Sequence, residues 1–402
     1  MLAFATDLRD EGVGTVLDNV QNRAGVEGLT MAVAYHDARD IFPHNPVRKV
    51  RYLEGGAVFF PPDVARYKNL QPRVSELARS GDPLGELCEA AGGRGMRVNA
   101  WAIFLHNDRL GFSRPESATQ NAFGDRYLTD LCPSNPDVRM YARTLASDIA
   151  RYDVSTILSE SLHFHGLRHG YHHERYFDDL GTVGTFLLGL CFCDHCLRAA
   201  SHRGVAAAMV HRLVRDELER RFEEGTNQDR EVLTREDLEP FGGEEMLGYL
   251  DARIETVTSL VEEVATAASG GGAGFAVLDL CGAEKGFATG HPEGDAAPAI
   301  GWQMGIDHAA LAGVCKIVSA TGYAAEPNRL NLDLDAYQTL VPDASQLGLV
   351  LRPMPPDCQS AENLAAKVAL ARERGLGRLD FYHYGFCRLQ ALDWIQQALA
   401  TT

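Results

Sequence analysis

Eight short apolar segments recur along the chain with helical patterns between them, and this rhythm narrows the choice of fold more than any other feature. The segments are Leu2–Asp7 (LAFATD), Leu29–Tyr35 (LTMAVAY), Val98–Phe104 (VNAWAIF), Val154–Glu160 (VSTILSE), Gly274–Leu280 (GFAVLDL), Cys315–Ala320 (CKIVSA), Leu347–Arg352 (LGLVLR) and Arg378–Tyr384 (RLDFYHY). Each is short, apolar and bounded by turn signals, as buried strands are. The last three begin about 30 residues apart, the length of one strand–helix unit.

Helix signals fall in the intervals. A stripe Val13, Val16, Leu17, Val20 follows the first segment. Asp82-Pro83 and Asn135-Pro136-Asp137 each place a capping side chain before a first-turn proline. Ser360 opens a further helix that Gly375 ends. Alternating strands and helices over 402 residues predict an α/β chain folded as a single (β/α)8 TIM barrel spanning 1–402. A doubly wound sheet would need a Gly-rich phosphate turn after an early strand, and no GxGxxG follows Leu2–Asp7 or Leu29–Tyr35.

Two connections exceed a simple helix, at about 36–81 after strand two and 161–273 after strand four. The first is expected to hold a small hairpin around Arg51–Phe60, the second two charged helices near 203–224 and 244–268. Loops that follow barrel strands lie on the face where chemistry occurs, so both insertions are expected to shape a site. Gly270–Gly274 (GGGAG) reads as a flexible return into strand five, since no helix follows it to cradle a phosphate.

Charge restricts the partners. With 38 basic against 55 acidic residues the formal charge is -17, which repels nucleic acid and anionic membrane and leaves small neutral molecules as the open class. The start of the chain turns acidic within seven residues and lacks the features of a secretory signal. Nine cysteines, an odd number in a long chain, do not form a disulfide framework. The expectation is a cytoplasmic, reduced enzyme, with a homo-oligomer as a compatible assembly.

Polar and aromatic residues crowd the expected strand ends. Tyr35 and His36 end strand two, His106 and Asn107 follow strand three, and His163 follows strand four; Tyr323, Arg352 and His383 follow strands six, seven and eight. These eight are the candidate substrate-binding residues of a pocket that stacks and hydrogen-bonds a sugar. Glu160 closes an apolar strand, where an unpartnered carboxylate would cost several kcal/mol. It is the first candidate catalytic residue; the rival reading is a salt bridge to Arg352 or Arg9. Asp279 ends the neighbouring strand and is the candidate second carboxylate, with Asp7, Asp37 and Asp108 as weaker substitutes.

Of fourteen histidines, His163, His165, His169, His172 and His173 fall within eleven residues. A polar site loop explains them as well as a metal does. Cys191, Cys193 and Cys196, with His195 beside them, are the candidate ligands of a structural zinc, expected outside the barrel core; burial as free thiols, packed like small apolar residues, is the equal alternative. No cofactor is required for carboxylate chemistry.

A barrel with Glu160 at the end of strand four, followed by a loop carrying CFCDHC, resembles the glycoside-hydrolase-like (β/α)8 proteins and, distantly, family 42 β-galactosidases. The resemblance implies carbohydrate chemistry on a small glycoside, with Glu160 as general acid/base. The pattern departs at two points. Barrels of the largest retaining clan carry a nucleophilic Glu at strand seven and an Asn before the strand-four Glu. Here strand seven ends Leu351-Arg352-Pro353-Met354-Pro355, and Ser159 precedes Glu160. The expected function is therefore a glycosidase with Asp279 opposite Glu160. The alternatives are a metal-dependent sugar isomerase or epimerase with Glu160, Asp279 and histidines as ligands, and a non-catalytic carbohydrate-binding barrel.

Overall fold

A computed structural model describes residues 1–168, 175–225 and 229–401. All eight expected segments form strands: β1 (Leu2–Phe4), β2 (Gly28–Tyr35), β3 (Arg97–Ile103), β4 (Thr156–Glu160), β5 (Gly274–Asp279), β6 (Ile317–Thr321), β7 (Leu347–Leu351) and β8 (Arg378–Phe381). Every consecutive pair from β1 to β8 is parallel, in the order of a barrel. Between β8 and β1 no ladder forms; one backbone hydrogen bond, Tyr384 N to Leu2 O at 2.9 Å, crosses that seam. The α/β class and the parallel sheet stand, while the sheet is not closed by strand pairing.

The short first strand explains the seam. Strand geometry was expected through Asp7, but a helix, Ala5–Glu11, begins after Phe4. Asp7 Oδ2 accepts from the Phe4 backbone N–H at 2.9 Å, so the carboxylate ends the strand by capping the helix that follows. Beside the upper end of β2, the pair Ala57–Val58 takes the place β1 has left, pairing antiparallel with Ala34 and Tyr35. The expected hairpin around Arg51–Phe60 is thereby displaced: the true one pairs Ala38–Ile41 with Val50–Leu53.

The capped helices form where their signals stand. Asp82 accepts from Gly85 N before Pro83–Gly92, Asn135 from Asp137 N before Pro136–Ile149, and Ser360 from Asn363 N before Ala361–Glu373. Gly375 adopts φ 67°, the left-handed conformation that lets the chain leave the last of these. The two charged helices span Ala207–Glu224 and Glu244–Gly270. One apolar cluster fills the sheet and its helix layer; a second lies under the strand-four insertion, around Leu187, Val210, Val214, Leu218 and Leu250. Among the described residues no single helix is long and apolar enough to cross a membrane.

Asp7 itself generates a pH dependence. It is fully buried, and burial pushes its carboxyl from 3.8 up to about 7. The folded state then holds the proton more tightly than the unfolded chain, so stability is lost as pH rises across that interval. Asp7→Asn keeps an acceptor for Phe4 N and removes the titration. Denaturant midpoints measured at the two ends of the interval should differ less for Asp7→Asn than for wild type; equal slopes would show that Asp7 is charged throughout.

Candidate functional site

Register decides which side chains share the interior. In a parallel ladder paired residues point to the same face. Leu158 on β4 pairs with Trp101 on β3 and Ala276 on β5, and Glu160 pairs with Ile103. Trp101 and Glu160 therefore lie on one face, and the Trp101 indole Nε1 donates to Glu160 Oε2 at 2.7 Å. Tyr35 meets the Trp101 ring edge-on at 4.9 Å, and Tyr382 does so at 5.9 Å. Tyr323 lies 6.1 Å from Tyr382, with the Arg352 guanidinium 4.0 Å over its ring.

From Tyr35 the wall continues as imidazoles. Tyr35 stacks on His36 at 4.5 Å, His36 on His106 at 4.7 Å, His106 meets His165 at 5.9 Å, and His165 meets His163 at 4.7 Å. Rings from the ends of β2, β3, β4, β6 and β8 thus form a continuous surface around the Glu160 carboxylate. Apolar faces with hydrogen-bonding rims suit a hydroxylated ring. Among the described residues the pocket histidines do not converge with a carboxylate on one cation-sized point, as a metal-dependent isomerase would require. His169, His172 and His173 lie outside the described residues.

Three candidates are engaged in structural roles. Asn107 Oδ1 accepts from Leu110 N at 3.0 Å, capping Asp108–Ser113. His383 is fully buried against Phe4 at 4.1 Å and Phe386 at 4.5 Å, and its Nδ1 accepts from Gly385 N at 3.1 Å. Burial holds its imidazole well below the usual histidine range, so it is a neutral floor beneath the pocket. Arg352 commits Nε and Nη2 to Asp357 at 2.5 and 2.6 Å and its remaining donors to the carbonyls of Phe287 and Gly286. It braces Tyr323 and pairs with Asp357, so the Arg352 half of the rival reading, a salt bridge to Glu160, does not hold.

Asp279 is the main correction. Ser159 pairs with Val277, and Val277 and Asp279 share a face, so Asp279 points away from the Glu160 side. It is fully buried among the helices, 3.3 Å from His308 Nε2 and hydrogen-bonded to the Tyr337 hydroxyl. Burial raises its carboxyl, but the imidazole of His308 and the hydroxyl of Tyr337 outweigh that and hold it at about 2. A carboxylate in that position does not face the pocket. Carboxylates at the pocket mouth come instead from loops. Asp37 follows His36, Asp130 bridges to His106 through the backbone, and Asp108 is pushed upward by burial and by the charge of Asp37.

The cysteine cluster contains a fourth member that spacing did not reveal. Cys132 follows a hairpin, Ala118–Gln120 with Arg126–Leu131, in the strand-three loop. Its Sγ lies 3.5 Å from Cys193 and Cys196 and 3.9 Å from Cys191, and all four thiols are buried. His195, the expected fourth ligand, pairs with Arg198 at 2.8 Å. All four lie in the insertions after strands three and four, off the barrel strands, and pack into the edge of the main apolar cluster. Sulfurs on a tetrahedron around zinc at about 2.3 Å lie about 3.8 Å apart, close to these separations. Arg253, 3% exposed, is nearby; its Nε and Nη1 have no hydrogen-bond partner among the described residues. Four thiolates around a divalent ion carry two net negative charges, which such a cation offsets. The residues fit zinc.

No protein-family model matches the chain, and no curated protein matches it in sequence. Solved structures do match in fold. A β-galactosidase from the haloarchaeon Halorubrum lacusprofundi superposes with TM-score 0.56 at 11% identity, over 99% of this chain and 57% of that one. The catalytic domain of β-amylase from Paenibacillus polymyxa gives 0.54 at 9%, over 98% and 93%. A β-galactosidase from Marinomonas ef1 gives 0.53 at 9%, over 99% and 59%. The chain spans little more than half the length of either β-galactosidase. At such identities the likeness is one of fold alone, a parallel strand–helix sheet in barrel order.

The Arg352–Asp357 brace yields a stability test. Asp357 is 1% exposed, and removing its partner leaves a buried charge unpaired. Arg352→Ala should cost about 3 kcal/mol or more in denaturant unfolding. Arg352→Lys, which cannot bond both carboxylate oxygens side by side, should recover only part of that. A loss below about 1 kcal/mol would show that the pair contributes no more than a surface bridge.

Proposed function

We propose that the chain is a glycosidase, or a related carbohydrate-processing enzyme, acting on a small neutral glycoside in a pocket at the strand ends of its barrel-ordered parallel sheet. The observation that carries this reading is Glu160, held by Trp101 Nε1 at the carboxyl end of β4 within a wall of aromatic rings. Strand ends on that face of a barrel are where reacting groups project. The indole N–H fixes the rotation of the carboxyl group, and the surrounding rings exclude water from one side of a bound sugar. Glu160 protonates the departing glycosidic oxygen as general acid.

With Asp279 turned to the helices, the second role falls to a loop carboxylate at the imidazole end of the pocket, among Asp37, Asp108 and Asp130. The outcome at the anomeric carbon follows from its distance to Glu160, about 5 Å for retention and roughly 6.5–9.5 Å for inversion. Cys132, Cys191, Cys193 and Cys196 would hold a structural zinc that joins the strand-three and strand-four loops; it takes no part in the reaction. A reducing, cytoplasmic setting, in which such thiols stay available to a metal, completes the proposal. A second reading, a carbohydrate-binding barrel without turnover, is favoured by one observation: β7 leads into Arg352 where the retaining clan carries its nucleophile.

Glu160→Gln separates the two readings. As an enzyme, the variant should fold normally, bind sugar, and lose on the order of 10²-fold or more in turnover on unactivated glycosides. Glycosides whose leaving groups need no protonation should be affected far less. Wild-type turnover in Glu160→Gln would exclude it as the acid, and binding without turnover in wild type would establish the second reading.

The zinc assignment has its own test. Cys132→Ser should lose the thiol-bound metal and unfold at lower temperature, whereas His195→Ala should retain it. The reverse pattern would restore the three-cysteine, one-histidine set.

A further inference from the structure

Outside the pocket, the end of β5 gathers chemistry that the proposed function does not use. Asp279, Cys281 and His308 each present one ligand atom, all three within 4.8 Å of one another. Their exposures are 0%, 0% and 3%. His308 opens the helix His308–Val314, and Tyr337, on Pro327–Leu340, places its hydroxyl on the same carboxylate oxygen that His308 faces.

Two features set this cluster apart from an ordinary hydrogen-bond network. The first is convergence. His308 Nε2 is 3.3 Å from Asp279 Oδ2 and 4.0 Å from Cys281 Sγ, so one ring nitrogen faces both acidic groups. A single N–H bonds well to one acceptor, and a Cys–His–Asp relay would use the two different ring nitrogens. A lone pair on Nε2 directed at a shared cation accounts for both distances. Ligands around zinc, bonded at about 2.0–2.3 Å, are separated by about 3.3–3.8 Å.

The second is charge. Among the described residues the one basic side chain against Asp279 is His308, and no lysine or arginine reaches it. A carboxylate and a thiolate around a divalent ion make a neutral unit, which an apolar core accepts more readily than a carboxylate held only by a hydroxyl and a neutral imidazole. The backbone is also cut to fit the imidazole: a Cβ on Gly301 would lie 2.6 Å from His308 Cε1.

We infer that Asp279, Cys281 and His308 form a second, buried cation site for a zinc-like divalent ion, separate from the four-cysteine cluster, with the Tyr337 hydroxyl as its outer neighbour. One carboxylate, one thiolate and one imidazole form a donor set suited to zinc. Its effect is structural. It ties the end of β5 to the two helices that follow, leaving the opposite face of the sheet to the pocket.

The test uses the full chain, equilibrated with zinc and freed of excess by gel filtration, and reads metal instead of activity. Zinc per chain should fall by one equivalent in Cys281→Ser relative to wild type. It should fall by a different equivalent in Cys132→Ser, so failure of either site is distinguishable from failure of the other. X-ray absorption at the zinc edge should show sulfur with nitrogen and oxygen in wild type, and sulfur alone in Cys281→Ser or, if that variant does not fold, in His308→Ala. Undiminished zinc in Cys281→Ser, or a sulfur-only shell in wild type, would overturn the second site.

Discussion

The register of β3, β4 and β5 is the constraint on which the candidate site depends. Leu158 pairing with Trp101 and Ala276 sets Glu160 and the indole on one face and sends Asp279 to the other. A slip of one residue would exchange these roles, since neighbouring side chains on a strand point to opposite faces. The Trp101–Glu160 hydrogen bond, the ring wall and the outward acid cluster all follow from that pairing. Ser159 reinforces it, its hydroxyl donating to the Ala276 carbonyl at 3.1 Å.

The two faces of the sheet solve different electrostatic problems. Inside, polar groups gather at the strand ends, where aromatic rings and imidazoles can exchange partners with a ligand. Buried charges are matched locally: Arg352 with Asp357 beside Tyr323 on the inner face, while on the outer face Asp279 meets the His308 ring and the Tyr337 hydroxyl. The strand-three and strand-four loops are joined by four thiols with the Arg253 cation close by. Burial of ionised groups is tolerated only with such compensation.

Much of the architecture was legible in the sequence because apolar rhythm and capping side chains are local signals. All eight strands and the helices opened by Asp82, Asn135 and Ser360 stand where those signals fall. Glu160 was legible too, as a carboxylate closing an apolar strand. The orientation of Asp279 was not. β5 is buried on both faces, so alternation showed which residues share a side without showing which side is inner. Cys132 was missed because 59 residues separate it from Cys191, and only the hairpin after β3 brings them together. The end of β1 was misplaced because Asp7 acts through a contact with Phe4 that ends the strand three residues earlier.

The central claim is that the face carrying Trp101 and Glu160 binds and processes a sugar. It is tested most directly by a crystal structure grown with an iminosugar, whose protonated ring mimics the charge developing in glycoside cleavage. The account predicts the ring within hydrogen-bond distance of Glu160, against the faces of Trp101 and Tyr382, with its hydroxyls toward His36 and His106. An iminosugar bound elsewhere, with the Glu160 carboxylate sealed by protein donors, would contradict it.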